Sequence, residues 1–163
     1  MRPRIKLLPS PFDKTLEAIA LCGLILLWSL SVLAFLKLPS IIPIHFGLSG
    51  KPDNYGSKYT LFLLPAIGTG VYLLLTTLNK HPHIFNYGVN ITEANAATQY
   101  TYATRMLRVL KAIIMVLLCM IIAFAYLNIQ GRMKGLGAWF FPFFICSMLA
   151  PTAYYIIKSM RKN

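Results

Sequence analysis

Acid is what this sequence has least of. Asp and Glu number four among 163 residues, against 16 Lys and Arg, and the formal net charge is +12. The four carboxylates, Asp13, Glu17, Asp53 and Glu93, lie outside the long apolar runs or at their ends. Proton- or cation-coupled transport commonly keeps a costly acid at mid-membrane, so their placement weakens that class of function. Charge of either sign is scarce, at 12% of residues, whereas a soluble domain carries about 25%. Cysteine is nearly absent. Cys22, Cys119 and Cys146 form no spaced pair, which argues against a disulfide framework or a thiolate metal centre. The chain also lacks a GxSxG elbow, a Walker loop and a Cys–His arrangement with an orienting group, so no sequence signature points to an enzyme or a cofactor.

Four long stretches with no charge at all are present instead: 18–36, 59–79, 112–130 and 135–157. Each is close to the roughly 20 apolar residues a spanning helix needs. They leave no room for a separate soluble domain. The predicted fold class is an all-α membrane protein, one integral domain over 1–163 with four transmembrane helices.

The cations fall unevenly about these spans. Arg2, Arg4, Lys6, Lys14, Lys80, Arg105, Arg108, Lys111, Lys158, Arg161 and Lys162 are on one side, eleven against the five of Lys37, Lys51, Lys58, Arg132 and Lys134. Loop Lys and Arg favour the cytoplasm, so both termini are expected inside. The excess suits anionic headgroups of the bilayer better than nucleic acid, which is not expected as a partner. The first apolar run is too long for a signal-peptide core, and Leu36-Lys37-Leu38-Pro39 offers no small-residue cleavage pattern, so it reads as an uncleaved anchor.

The connections differ in character. Proline spaces out the amino-terminal segment until Asp13 or Thr15 starts the first helix. Residues 38–58 are rich in Pro and Gly and should form a structured outer loop. Its Ile41-Ile42-Pro43-Ile44-His45-Phe46 stretch suits a short extended piece, with Pro43 barred from a central sheet position. Pro65 predicts a kink in the second span. Asn90 and Glu93 resemble a capping box, from which an uninterrupted third helix runs from about 91 to Gly131. Its polar first half, 93–108, is expected to protrude or lie along the interface. Gly131 to Gly135 reads as a turn, and the aromatics from Trp139 to Phe144 as an interfacial belt.

His45, Asp53 and Lys58 share the outer loop. They can form a polar site at the membrane surface. Equally, Asp53 can cap its own turn while Lys58 anchors a helix end. Two side chains do not make a zinc site, and His81-Pro82-His83 alone is weak evidence for any metal.

Pro43, His45, Phe46, Gly50, Pro52, Asp53, Gly56 and Lys58, in the frame Pro-x-His-Phe…Gly-x-Pro-Asp…Gly-Ser-Lys, resemble a bacterial membrane-protein domain of unknown function. That domain is shared with the immunity protein against the sporulation-delaying toxin. Asn95, Tyr100 and Arg105, the last opening Arg105-Met106-Leu107, resemble a helix motif of the same family. The resemblance runs over about 20–130. It implies a multi-span protein of the bacterial cytoplasmic membrane and singles out these residues as a structural or functional set. The leading expectation is a non-enzymatic binding or immunity-type module whose outer loop engages a membrane-active peptide or partner protein. The alternatives are an oligomeric transporter, with Ser29, Ser31, Thr69, Thr76, Asn128 and Gln130 along a polar path, and, behind it, a lipid-modifying enzyme using His45 and Asp53.

Overall fold

A computed structural model describes residues 2–161 of the chain. Four of its helices are long and apolar enough to cross a bilayer, and the chain is a multi-pass membrane protein. The first, α1, spans Pro11–Lys37. It begins two residues before the expected Asp13, because Ser10 is the cap. The Ser10 hydroxyl accepts from the Asp13 amide, the Asp13 carboxylate accepts from the Ser10 amide at 2.9 Å, and Pro11 follows the cap. Proline suits that first position, where its missing N–H has no helical partner anyway.

The chain is not purely α-helical. The expected extended piece is one arm of an antiparallel hairpin, β1 (Ile41–Phe46) with β2 (Pro52–Ser57). A two-stranded ribbon has only edge strands, so Pro43 costs no central ladder bond. Register slips on either side of His45, between Pro43 and Phe46. The tip closes through Gly47, whose amide donates to the Lys51 carbonyl at 3.0 Å, and Gly50, at φ +74°. A short 3₁₀ turn, Lys58–Phe62, leads into α2, Leu63–Leu78. Pro65 falls in the first turn of α2 rather than in its interior. There, just after the change from 3₁₀ to α geometry, its missing N–H costs little.

The third helix, α3, is Ala96–Ile129, about 50 Å long at 1.5 Å per residue. It starts later than expected. The Asn95 side chain accepts from the Thr92 amide and donates to the Asn90 carbonyl, both at 2.9 Å, and this curls the preceding residues out of helix. The last helix, α4, is Phe140–Arg161. It begins five residues after the predicted span, because Gly135 at φ +106° and Gly137 at φ +79° hold a non-helical turn before it.

At the centre, α3 shows one face to α1 and another to α4. Ala112, Met115, Cys119 and Ile122 pack with Leu16, Ala20, Leu27 and Ala34, whereas Leu117 packs with Leu136 and Phe140. Small residues on α1 let the backbones approach, the usual means of helix association in lipid. A Cβ on Gly23 would lie 2.8 Å from that of Met115. Outward positions such as Leu33, Leu73, Leu74, Leu149 and Ile156 are apolar and exposed, as hydrocarbon solvent requires.

Both ends of the described chain meet at one end of the bundle. Tyr100 Oη donates to the Pro3 carbonyl at 3.0 Å, and Gln99 Nε2 donates to the Ser159 carbonyl at 3.0 Å. The polar first half of α3 is therefore not bare but packed against other segments of the chain. Gln99, Tyr100, Thr104 and Lys111 are all buried: Gln99 and Tyr100 meet the end of α4 and the amino-terminal segment, and Lys111 meets Glu17 of α1 and Thr76 of α2.

Candidate functional site

The hairpin stands at the opposite end of the bundle and roofs a cavity of about 560 Å³. Its roof is Pro43 to Gly50 of the hairpin. Its walls are Leu63 and Leu64 of α2, Ile121, Ile122 and Ala125 of α3, and Phe140, Phe141 and Phe144 of α4. Almost every lining group is apolar, and the His45 imidazole is the one ionisable side chain among them.

Backbone contacts hold the roof in place. The Leu136 amide donates to the Gly50 carbonyl at 2.8 Å. A Cβ on Gly50 would lie 2.5 Å from the Gly137 nitrogen, and one on Gly135 would fall on the Gly50 carbonyl. Gly50 and Gly135 thus allow the hairpin tip to lie directly on the turn before α4. Phe46 packs against the Leu117, Leu136 and Phe140 cluster. Gly56 lies beneath Ile44, whose Cδ1 would be 2.7 Å from a Cβ there.

The structure divides the predicted polar trio. His45 Nδ1 and Asp53 Oδ1 lie 2.5 Å apart across the hairpin, with their side chains 67% and 50% exposed. Lys58 turns away from them. Its Nζ donates to the carbonyls of Phe35 at 3.0 Å and Leu38 at 3.3 Å, and sits 4.5 Å from the centre of the Phe35 ring. A cation there satisfies the negative end of α1. Pro52 opens β2 opposite Phe46. The hydroxyls proposed to line a polar path are occupied elsewhere. Ser29, Ser31 and Thr69 donate to carbonyls of their own helices, and Thr76 accepts from Lys111.

The second predicted set lies at the other end. Asn95 shapes the start of α3, and Tyr100 is fully buried beneath the amino-terminal segment. Arg105 belongs to a buried ion network that the sequence reading did not assemble. Its Nε and Nη2 reach the two Asp13 oxygens at 2.8 and 3.1 Å. Glu17, one turn further on, takes Lys111 at 2.5 Å, and Lys111 also donates to Thr76 at 2.8 Å. Arg108 stands between the two acids, 3.8 Å from Asp13 and 3.2 Å from Glu17. Its Nε is close to Glu17 but off the hydrogen-bonding line, so it attracts without a proper bond. The signal was present in the sequence. Acids at 13 and 17 share one helix face, and cations at 105, 108 and 111 share another.

With this geometry in view, the comparisons are specific in extent. Residues 22–69 match Domain of unknown function (DUF1648). The match covers most of α1, the whole hairpin and the start of α2, so His45, Asp53 and Lys58 fall inside it, whereas Asn95, Tyr100 and Arg105 do not. An uncharacterized protein of Archaeoglobus fulgidus is 37% identical over 89 residues, covering 48% of this chain and 49% of that protein. The chain thus spans about half the length of the curated relative it matches. No solved structure matches. The comparisons carry a domain of unknown function, and neither attaches a toxin or an immunity role to it.

Proposed function

We propose that this chain is a non-enzymatic binding module of the bacterial cytoplasmic membrane, of the immunity type. Its hairpin-roofed cavity would receive the apolar segment of a membrane-active peptide. The observation that carries the reading is the cavity itself. It is about 560 Å³, close to wholly apolar, and roofed by backbone contacts rather than by flexible side chains. Binding sites of this size combine apolar walls with a few polar groups that fix orientation, and the His45–Asp53 pair on the roof fits that role. The placement of both termini on the cytoplasmic side rests on the surplus of Lys and Arg at their end.

Charge narrows the kind of peptide. Lys37, Lys51, Lys58, Arg132 and Lys134 share the hairpin end with one acid, Asp53, which His45 already holds. A strongly cationic peptide would be repelled there, so the favoured ligand is neutral or acidic and apolar. A lipid-modifying enzyme would need a nucleophile or metal at the His45–Asp53 pair. A transport path loses support because Ser29, Ser31 and Thr69 bond within their own helices and Thr76 is taken by Lys111.

Survival curves of cells expressing the protein test this reading. Neutral apolar peptides should lose potency, and Ala125→Trp, which fills the cavity, should restore it at unchanged protein level. Asp53→Ala should act in the same direction. Equal killing of expressing and control cells across a panel of such peptides would overturn it.

A further inference from the structure

The end that carries the termini holds a second hollow, of about 540 Å³, between the amino-terminal segment, the first turns of α1, the end of α2 and α3. Lys6, Lys14, Lys80 and Arg108 line it, against one acid, Glu17. That acid is already committed to Lys111 and Arg108. No carboxylate among the described residues pairs with Lys6, Lys14 or Lys80.

Two further side chains in the wall lack partners, and Asn79 Nδ2 and Arg108 Nε are donors without an acceptor. Asn79 has its Nδ2 and Oδ1 both buried with no hydrogen-bond partner, and the Arg108 Nε is buried without an aligned one. Buried polar atoms are nearly always satisfied, and an orphan calls for an explanation. Solvated surface lysines would explain the cations but leave the Asn79 side chain and the Arg108 Nε unexplained. The carboxyl end of α2 also closes here, but a helix end amounts to about half a charge, too little for three unbalanced cations.

Cations without anions and donors without acceptors describe one missing partner: a compact, multiply charged anion with several acceptor oxygens. We propose that this hollow binds a phosphate group, free or as a monoester. Lys14 and Lys80 would supply charge at its mouth, and Asn79 Nδ2 and Arg108 Nε would donate to its oxygens. Arg and Lys contacts to phosphate oxygens are among the stronger hydrogen bonds in proteins. The phosphate can arrive on a lipid headgroup or as a soluble ion, and the chemistry of the hollow is the same for both.

The test uses the full chain, delipidated in maltoside detergent, titrated with inorganic phosphate and with dihexanoyl phosphatidic acid while thermal unfolding is followed. A saturable upward shift is expected with at least one probe. Lys80→Ala and Lys14→Ala, both at exposed positions, should each weaken that probe about tenfold, the loss of roughly one charge-assisted hydrogen bond. Asn79→Asp, which places an anion in the wall, should abolish binding. Lys158→Ala, at the same end but outside the hollow, should change nothing. A response to inorganic phosphate assigns a soluble ligand, and a response to phosphatidic acid alone assigns a lipid. The proposal is overturned if neither probe saturates, if Lys80→Ala and Lys14→Ala bind like the parent, or if Lys158→Ala weakens binding as much as they do.

Discussion

The two ends of this bundle are closed by different physics. At the end holding the termini, side chains do the joining: Asp13, Glu17, Arg105, Arg108 and Lys111 tie α1 to α3 through ion pairs, two of them between 2.5 and 2.8 Å. At the hairpin end, backbone does it. Glycines at 50 and 135 let two turns touch, and one amide-to-carbonyl bond pins them. The difference follows from what each end must enclose. Charge drawn away from water is tolerable only when paired, so the ionic end is crowded with partners. The hairpin end covers a half-open apolar cavity and needs a rigid roof with few side chains in the way.

The largest effect should come from halving a buried pair. Arg105→Met leaves Asp13 almost wholly buried, at 5% side-chain exposure, with the Ser10 amide and hydroxyl as donors but only Arg108, at 3.8 Å, as an opposite charge. Loss of one partner from such a pair costs about 3–5 kcal/mol, seen as a large fall in the thermal midpoint in detergent. The double variant Asp13→Leu/Arg105→Met should recover most of it, since an apolar pair of similar volume avoids the desolvation cost. If the single and double variants are equally unstable, the ion pair is not what closes this end.

The backbone end breaks by a different substitution. Gly50→Ala meets both a left-handed φ of +74° and the Gly137 backbone at 2.5–2.6 Å. A strained backbone of this kind costs about 1–3 kcal/mol. The informative readout is local: hydrogen exchange at the Leu136 amide should speed up while the core of α1 and α3 stays protected. Uniform acceleration along the chain would mean that the roof is not a separable unit. Lys58→Met comes next in size. It removes two charge-assisted bonds to the end of α1 and a cation over Phe35, together about 1–2 kcal/mol, and the exchange change should centre on Phe35 to Leu38.

How far each end was legible follows from the same contrast. The spans were readable because hydrocarbon imposes length and apolarity on every helix that crosses it, and the absence of charge from 18–36 or 112–130 records that demand directly. Residues 41–46 showed their extended character through β-branching. Their pairing with 52–57 was hidden, since Pro52, Asp53 and Gly56 read as turn residues and only the partner strand makes them a strand. The ion network was hidden for another reason. Asp13 and Arg105 are 92 positions apart, and a count of loop cations treats Arg105, Arg108 and Lys111 as solvated charges. Nothing local distinguishes a buried lysine such as Lys111 from one at a headgroup. The facing acid at Glu17 does so, once α1 is known to lie on α3. That residues 38–58 fold back over the mouth of the bundle was legible from their Pro and Gly content; the contact that pins them was not, because Gly135 and Gly137 look like generic turn punctuation until Gly50 is placed against them.

The smallest change in stability belongs to the pair most exposed to solvent, and there the contrast is sharpest. His45 and Asp53 sit 2.5 Å apart but are half or more exposed, and an exposed ion pair contributes about 0–1 kcal/mol. His45→Ala should therefore leave the thermal midpoint within a degree or two of the parent, in contrast to Arg105→Met. If the pair orients a ligand on the roof of the cavity, the same variant should still lose protection against a neutral apolar peptide, separating function from fold at one residue. Should His45→Ala instead destabilise the protein as much as Gly50→Ala, the pair would be a strut of the hairpin, and the reading of the roof as a recognition surface would fall with it.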